Sequence, residues 1–115
     1  MMLPRPYPTL LLLPLFALSS TSFADQMLDV GCGMWSDKAK FVFDEVDVRR
    51  KQGSSQPIAD TKASLGYSDL EAESLNAEYY QTVFDALEAG RSRDEVGILA
   101  DNLCRKNPDN VFDLS

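Results

Sequence analysis

The 115-residue sequence contains no histidine, only two cysteines and a single tryptophan. The lack of histidine removes the commonest general base and the commonest metal-binding side chain. No D-x-[DN]-x-[DN]-G string of a calcium-binding loop occurs either. We therefore predict no catalytic residues, no metal site and no cofactor, and we expect a protein that is not an enzyme.

Basic residues are scarce as well, since 11 Lys and Arg stand against 18 Asp and Glu, for a formal net charge of −7. A surface with this charge repels nucleic acid and anionic lipid. The apolar runs are also shorter than the roughly 20 residues that span a bilayer. We expect no nucleic-acid partner and, once the leader described next is removed, no stable membrane insertion.

Residues 1–24 have the pattern of a signal peptide. Arg5 supplies the positive charge, an apolar run extends over residues 10–18, and Ser22 and Ala24 form a small-x-small cleavage site. Cleavage after Ala24 leaves about 91 residues with a net charge of −8. We predict a periplasmic or secreted protein.

The two cysteines, Cys32 and Cys104, both lie in the predicted mature chain. In an oxidising compartment such a pair indicates a disulfide. Closing a loop of about 73 residues stabilises the fold by about 4 kcal/mol in the chain-entropy model. The alternative, a pair of reactive thiols, has neither a C-x-x-C spacing nor a histidine to support it.

Hydrophobic spacing and turn residues predict an all-α domain of four helices over residues 25–108. Helix one is expected from Asp29 or Cys32 to Gln52, before Gly53. Its buried stripe should consist of Cys32, Trp35, Ala39, Val42 and Val46, with Phe43 beside them.

Helix two is expected after a cap at Ser54 or Ser55, with Pro57 in its first turn and Gly66 at its end. Its inner face should comprise Ile58, Thr61 and Leu65.

Ser68-Asp69-Leu70-Glu71 predicts a capping box that opens helix three, which Gly90 ends. A break near Asn76 is the alternative. The inward residues of this helix should be Ala72, Leu75, Tyr79, Val83 and Ala86, with Tyr80, Phe84 and Leu87 widening the face.

A second capping box, Ser92 to Glu95, predicts the start of helix four, and Pro108 follows its end. Its inward residues should be Val96, Leu99, Ala100 and Leu103, with Cys104 at the edge. Residues 109–115 are expected to form a flexible C-terminal tail.

Helix one carries a second apolar line opposite its buried stripe. This line consists of Met34, Phe41 and Val48, and it is bordered by acidic residues, namely Asp37, Asp44 and Glu45. One interpretation is that the other helices cover it, so that helix one is central to the domain. The other is a surface for a partner or for self-association.

The chain resembles a loose class of small exported bacterial helical proteins of unknown function, with a cysteine at the start of the first helix and another at the end of the last. The residues that carry this resemblance are Cys32, Arg49, Gly53, Val83, Phe84, Ser92 and Cys104. The resemblance implies the fold and the compartment, and it implies no activity.

We expect a small non-enzymatic binding protein of the inhibitor or immunity type. Its acidic residues suit a basic envelope protein, and a homodimer is also possible. The alternative function is an acid-stress holdase, because the chain is similar in size, helicity and disulfide to the small two-cysteine helical chaperones of the enteric periplasm. Protonation of its 18 carboxylates would reverse the net charge and could open the bundle.

Overall fold

The computed structural model describes residues 22–114, and within that range the chain forms four α-helices and no β-strand. The helices are α1 (Phe23–Lys51), α2 (Pro57–Ser64), α3 (Leu75–Glu88) and α4 (Arg93–Arg105). Two short 3₁₀ helices cover Tyr67–Asp69 and Pro108–Asn110. Cys32 and Cys104 form a disulfide. The prediction of an all-α, four-helix fold closed by this disulfide is confirmed. Residues 1–21 of the predicted signal peptide lie outside the described residues.

The longest helix, α1, starts well before the predicted Asp29. The Ser22 side chain accepts a hydrogen bond from the backbone N–H of Asp25 at 3.0 Å and caps the helix. The predicted end is correct to within a residue, because Gly53 takes the left-handed conformation with a φ of 92°. All five residues of the predicted inner stripe are buried. Cleavage after Ala24 would remove the Ser22 cap and leave the inner stripe unchanged.

The start of α2 differs from the prediction, since neither serine is the N-cap residue. Gln56 occupies that position, and its side chain makes no capping hydrogen bond. Ser54 nevertheless supports the turn: its hydroxyl accepts the N–H of Gln56 and donates to Asp60 at 2.6 Å. Thr61 faces inward and is fully buried, as predicted, and Gly66 takes a left-handed φ of 67° after the helix.

The predicted capping box at residues 68–71 is wrong. α3 begins at Leu75, and Ser74 caps it by accepting the N–H of Ala77 at 3.1 Å. Glu73 has a left-handed φ of 69°, through which no α-helix continues. The alternative of a break near Asn76 is closer to the structure, because residues 70–74 are non-helical and only a 3₁₀ turn precedes them. Ala72, predicted to face inward, is therefore exposed.

The capping box of α4 is confirmed, since Ser92 and Glu95 bind each other's backbone N–H groups. The predicted inward face is rotated, however. Leu99 is exposed, whereas Gly97 and Cys104 are buried. The reason is a close approach of α4 to α1: a Cβ on Gly97 would lie 2.7 Å from atoms of both Ser36 and Lys40.

Helices α1 and α4 run antiparallel along most of the length of α4. The disulfide joins Cys32 to Cys104 near one end of the pair. At the other end, Arg93 of α4 makes a bidentate ion pair with Asp44 of α1, at 2.9 and 3.1 Å. The two helices are thus joined covalently at one end and electrostatically at the other.

Aromatic rings from α1 and α3 fill the centre of the domain. Trp35 and Tyr79 meet edge to face, with ring centroids 5.6 Å apart. Tyr67, from the 3₁₀ turn, packs edge-on against Phe84 at 5.5 Å. Their contact explains why the chain turns back before α3: the turn brings Tyr67 onto the core.

The C-terminal segment, predicted to be a flexible tail, lies against α1 in the described residues. The indole N–H of Trp35 donates to the carbonyl oxygen of Val111 at 2.8 Å. Val111 and Leu114 pack against the core, and Val111 lies over Gly31, where an added Cβ would collide with it. The small residue at position 31 therefore makes room for this segment. Its flexibility stays a prediction.

Among residues 22–114, no helix combines the length and the apolarity needed to cross a membrane.

Candidate partner-binding surface

The three apolar residues singled out from the sequence are exposed. Met34 is 59% exposed, Phe41 56% and Val48 48%. The interpretation in which α2, α3 and α4 cover this side of α1 is therefore wrong. The three helices pack around the inner stripe, and α4 comes close to α1 at Gly97. They leave the opposite side of α1 open.

Two further residues extend this line toward the N-terminus, and sequence analysis missed both. Met27 and Val30 are both exposed, and Val30 lies three residues after Met27 and four before Met34. The missed signal was the cap at Ser22, because a helix that starts at Phe23 places Met27 and Val30 on the same face. We call the set of five the outer stripe: Met27, Val30, Met34, Phe41 and Val48.

The three acidic residues predicted to border the stripe have different roles. Asp44 holds Arg93 of α4. Glu45 pairs with Arg49 at 3.3 Å, and Arg49 in turn donates to the buried hydroxyl of Thr61 on α2. Asp44 and Glu45 thus serve the fold, by fixing α4 and α2 to α1.

Asp37 differs from the other two, since it is exposed and makes no ion pair with any residue in the range 22–114. It lies three residues after Met34 and four before Phe41, within the line of the stripe. Arg93 acts on Asp37 electrostatically but binds Asp44 directly, so Asp37 is the carboxylate of the predicted set that is open to a direct contact with a partner.

Two hollows open beside the stripe. One, of about 230 Å³, lies between Met34 and the C-terminal segment, and Lys38, Phe112 and Leu114 line it. The other, of about 250 Å³, lies between Phe41 and α2, where Ser64 and Leu65 line it. The stripe is thus bordered by concave surface at two positions seven residues apart.

A larger open groove, of about 660 Å³, lies between the Tyr67 turn and the first turns of α3. It contains the carboxylates of Glu73 and Glu78 and the side chain of Gln81, which accepts a hydrogen bond from the Tyr67 hydroxyl. Both carboxylates are exposed. General acid catalysis by a carboxylic acid needs an apolar environment that keeps the proton on at neutral pH. Glu73 and Glu78 are exposed to water instead, although Leu70 and Ala77 also line the groove.

The described residues also offer no cluster of three or more Cys, Asp or Glu side chains suited to a metal ion. Burial raises the pKa of the Tyr79 phenol, with a smaller effect of neighbouring Tyr80. The Tyr79 hydroxyl binds a backbone carbonyl within the core, so it has no access to a substrate.

Comparison of the chain with models of protein families, with curated proteins and with solved structures gives no match.

Proposed function

We propose that this protein is an exported, non-enzymatic binding protein, and that the outer stripe of α1 is the surface it presents to a protein partner. The observation that carries the proposal is the exposure of Met34, Phe41 and Val48 on a helix whose opposite face is fully used by the core. Large apolar residues that are exposed along one face of a helix, bordered by polar residues, favour an interaction surface.

The proposed location is the periplasm or the extracellular space. The leader at residues 1–24 supports export. The disulfide supports an oxidising compartment, because long-range disulfides rarely persist in the cytosol. N-terminal sequencing of the protein from cell fractions is the test. A mature chain that begins at Asp25 in the periplasm or medium agrees with the proposal, and an intact cytosolic precursor contradicts it.

Site-specific photo-crosslinking of the full chain expressed in its own cells tests the binding surface. A photoreactive amino acid replaces Phe41 or, in the matched control, Ala59, which is exposed on α2. We expect one discrete crosslinked protein from position 41 and none from position 59. If both positions give the same background, or if Phe41→Asp folds normally and captures the same protein, the outer stripe is not the partner surface.

The charge of the mature chain supports an inhibitor or immunity role against a basic envelope protein, because at −8 it complements a cationic surface. Electrostatic attraction of this kind accelerates association and weakens with salt. Association with the crosslinked partner should therefore slow as ionic strength rises. A rate that does not depend on salt would exclude a role for charge in partner choice.

The second candidate, an acid-stress holdase, is favoured by the carboxylates that tie α4 to α1. Asp44 binds Arg93 and Asp29 binds Arg105, both across the helix pair. Each exposed ion pair contributes little by itself, so the loss of negative charge over the whole chain would have to open the domain. Suppression of client aggregation at about pH 2–3, where carboxylates are neutral, is the test. Lack of protection at that pH eliminates this candidate.

A further inference from the structure

We propose that the occupant of the outer stripe is one amphipathic α-helix of a partner protein, about three heptads long, with a Lys or Arg opposite Asp37. This inference rests on the proposed function and deepens it, since it names the structure and the charge of the element that binds.

The spacing of the stripe is that of a helix–helix seam. Val30 and Met34 follow Met27 at spacings of three and four, and Phe41 and Val48 each come seven residues later. Two helices pack knobs into holes along a repeat of seven with two seam positions in each heptad. In this stripe the first position is apolar in all four heptads, and the second is Val30, then Asp37, then Asp44. With a rise of 1.5 Å per residue, the stripe from Met27 to Val48 is about 32 Å long. This length matches a helix and exceeds what a single loop would cover.

The two hollows fit the same geometry. The one beside Met34 and the one beside Phe41 are separated by one heptad along α1. Side chains at positions i and i+7 of a helix laid along the stripe would reach both, about 10 Å apart. Extended peptides bind to sheet edges, and the described residues contain no strand.

Asp37 sets the charge of the partner. It occupies a seam position between Met34 and Phe41, so a docked helix would remove its carboxylate from water. Desolvation of an unpaired carboxylate is costly, and a cation with good geometry offsets that cost. Arg93 of α4 lies within electrostatic range of Asp37, but its guanidinium is bound by both carboxylate oxygens of Asp44, so Asp37 makes no ion pair of its own among residues 22–114. A Lys or Arg of the partner would supply the direct ion pair that Asp37 lacks.

The same carboxylate disfavours a second copy of this chain as the occupant. In a parallel pair Asp37 would face Asp37. In an antiparallel pair it would face an apolar residue of the stripe, Met34 or Phe41 according to the register. Neither arrangement places a Lys or Arg opposite Asp37, and two mature copies carrying −8 each repel one another. The same net charge disfavours an anionic lipid surface.

The experiment uses two labelled helical peptides of about three heptads, with leucine at the seam positions. The central seam residue, which faces Asp37 in either orientation, is lysine in one peptide and glutamate in the other. Fluorescence polarisation gives the affinity of each for the disulfide-bonded mature protein. We expect the lysine peptide to bind about tenfold more tightly than the glutamate peptide.

Matched charge-reversal variants decide what causes this difference. Asp37→Lys should reverse the preference, whereas Glu71→Lys, the same charge change on an exposed turn away from the stripe, should preserve it. Phe41→Asp should weaken both peptides about tenfold or more. Circular dichroism spectra that match the wild type show that each variant is folded.

Three outcomes overturn the inference: equal binding of both peptides, a preference that Asp37→Lys leaves unchanged, or binding of neither peptide up to millimolar concentration. Dimerisation of the wild type in sedimentation, abolished by Phe41→Asp, would assign the stripe to a second copy. Binding to vesicles of anionic phospholipid, lost in the same variant, would assign it to a membrane. If the peptides fail while crosslinking from position 41 still gives a discrete protein, the proposed function stands and the helical partner is wrong.

Discussion

Tyr79 donates its hydroxyl hydrogen to the backbone carbonyl oxygen of Trp35 at 2.6 Å, and the two rings meet edge to face. This contact joins α3 to the middle of α1 within the core. Because Tyr79 is fully buried, its phenol must stay neutral in the folded protein.

The raised pKa of Tyr79 makes stability depend on alkaline pH. The folded-state pKa lies above the unfolded value of about 10, so this contribution is complete below that pH and is lost as the pH rises. We expect the free energy of unfolding to fall more steeply above about pH 10 in the wild type than in Tyr79→Phe. Urea titrations at several pH values measure this slope.

Tyr79→Phe should also lower the free energy of unfolding by about 1 kcal/mol at neutral pH, because the hydrogen bond is lost. Tyr67→Phe is the matched control, because Tyr67 belongs to a half-exposed turn and its hydroxyl binds an exposed Gln81. In Tyr67→Phe the free energy of unfolding should fall as steeply at alkaline pH as it does in the wild type. Equal slopes in the wild type and Tyr79→Phe would show that the Tyr79 hydroxyl ionises without penalty.

The caps of α3 and its preceding turn give a second prediction. Ser74 accepts the N–H of Ala77, whereas Ser68 lies exposed in the 3₁₀ turn and caps no α-helix. Ser74→Ala should therefore destabilise the domain by about 1 kcal/mol, and Ser68→Ala should change stability by less than about 0.5 kcal/mol. Thermal unfolding of both variants checks this. The opposite ranking would place the helix start at residues 68–71 after all.

The C-terminal segment gives a third prediction, and Trp35, as the sole tryptophan, reports on it. Deletion of residues 111–115 removes the Val111 carbonyl that accepts the indole N–H and uncovers a ring that is only 2% exposed. We expect a red shift of the tryptophan emission and a decrease of about 1–3 kcal/mol in the free energy of unfolding. Gly31→Val should give the same red shift by displacing Val111.

Asp109→Ala is the control for that deletion, since it alters an exposed residue of the same segment. Its emission should match the wild type. If the deletion leaves the emission unchanged, the segment does not cover Trp35 in solution, and residues 109–115 form the flexible tail that the sequence predicts.

The predictions were correct for features that depend on residues close together in the sequence. The inner stripe of α1, the capping box at Ser92 and the left-handed Gly53 all depend on local spacing and chemistry, and all are present. The disulfide could be predicted because only one pairing of two cysteines exists.

The errors arise where contacts distant in the sequence decide the structure. The Ser68 box has suitable residues, but the packing of Tyr67 on Phe84 favours a turn there. The rotation of α4 depends on how closely Gly97 approaches α1, which hydrophobic spacing within α4 does not reveal. For the candidate surface, the sequence identified Met34 and Phe41 but not the pairing of Asp44 with Arg93, 49 residues away. That pairing commits Asp44 to the fold and leaves Asp37 without a direct ion pair among the described residues.

The disulfide gives the last prediction. Cys32 and Cys104 are 72 residues apart in the sequence, so the bond restricts the unfolded chain strongly. Replacing both with alanine should lower the free energy of unfolding by about 4 kcal/mol, measured by urea titration against the oxidised wild type. A small domain has a free energy of unfolding of about 5–15 kcal/mol in total, so the variant should be marginally stable and unfold at a much lower temperature than the wild type.

Arg93 and Asp44 hold the opposite end of the helix pair. Because this ion pair is exposed, Asp44→Asn should lower the free energy of unfolding of the oxidised protein by less than about 1 kcal/mol. Its cost in the cysteine-free background shows whether the two ends act independently. A disulfide contribution below about 1 kcal/mol would mean that the helix packing alone holds α1 and α4 together.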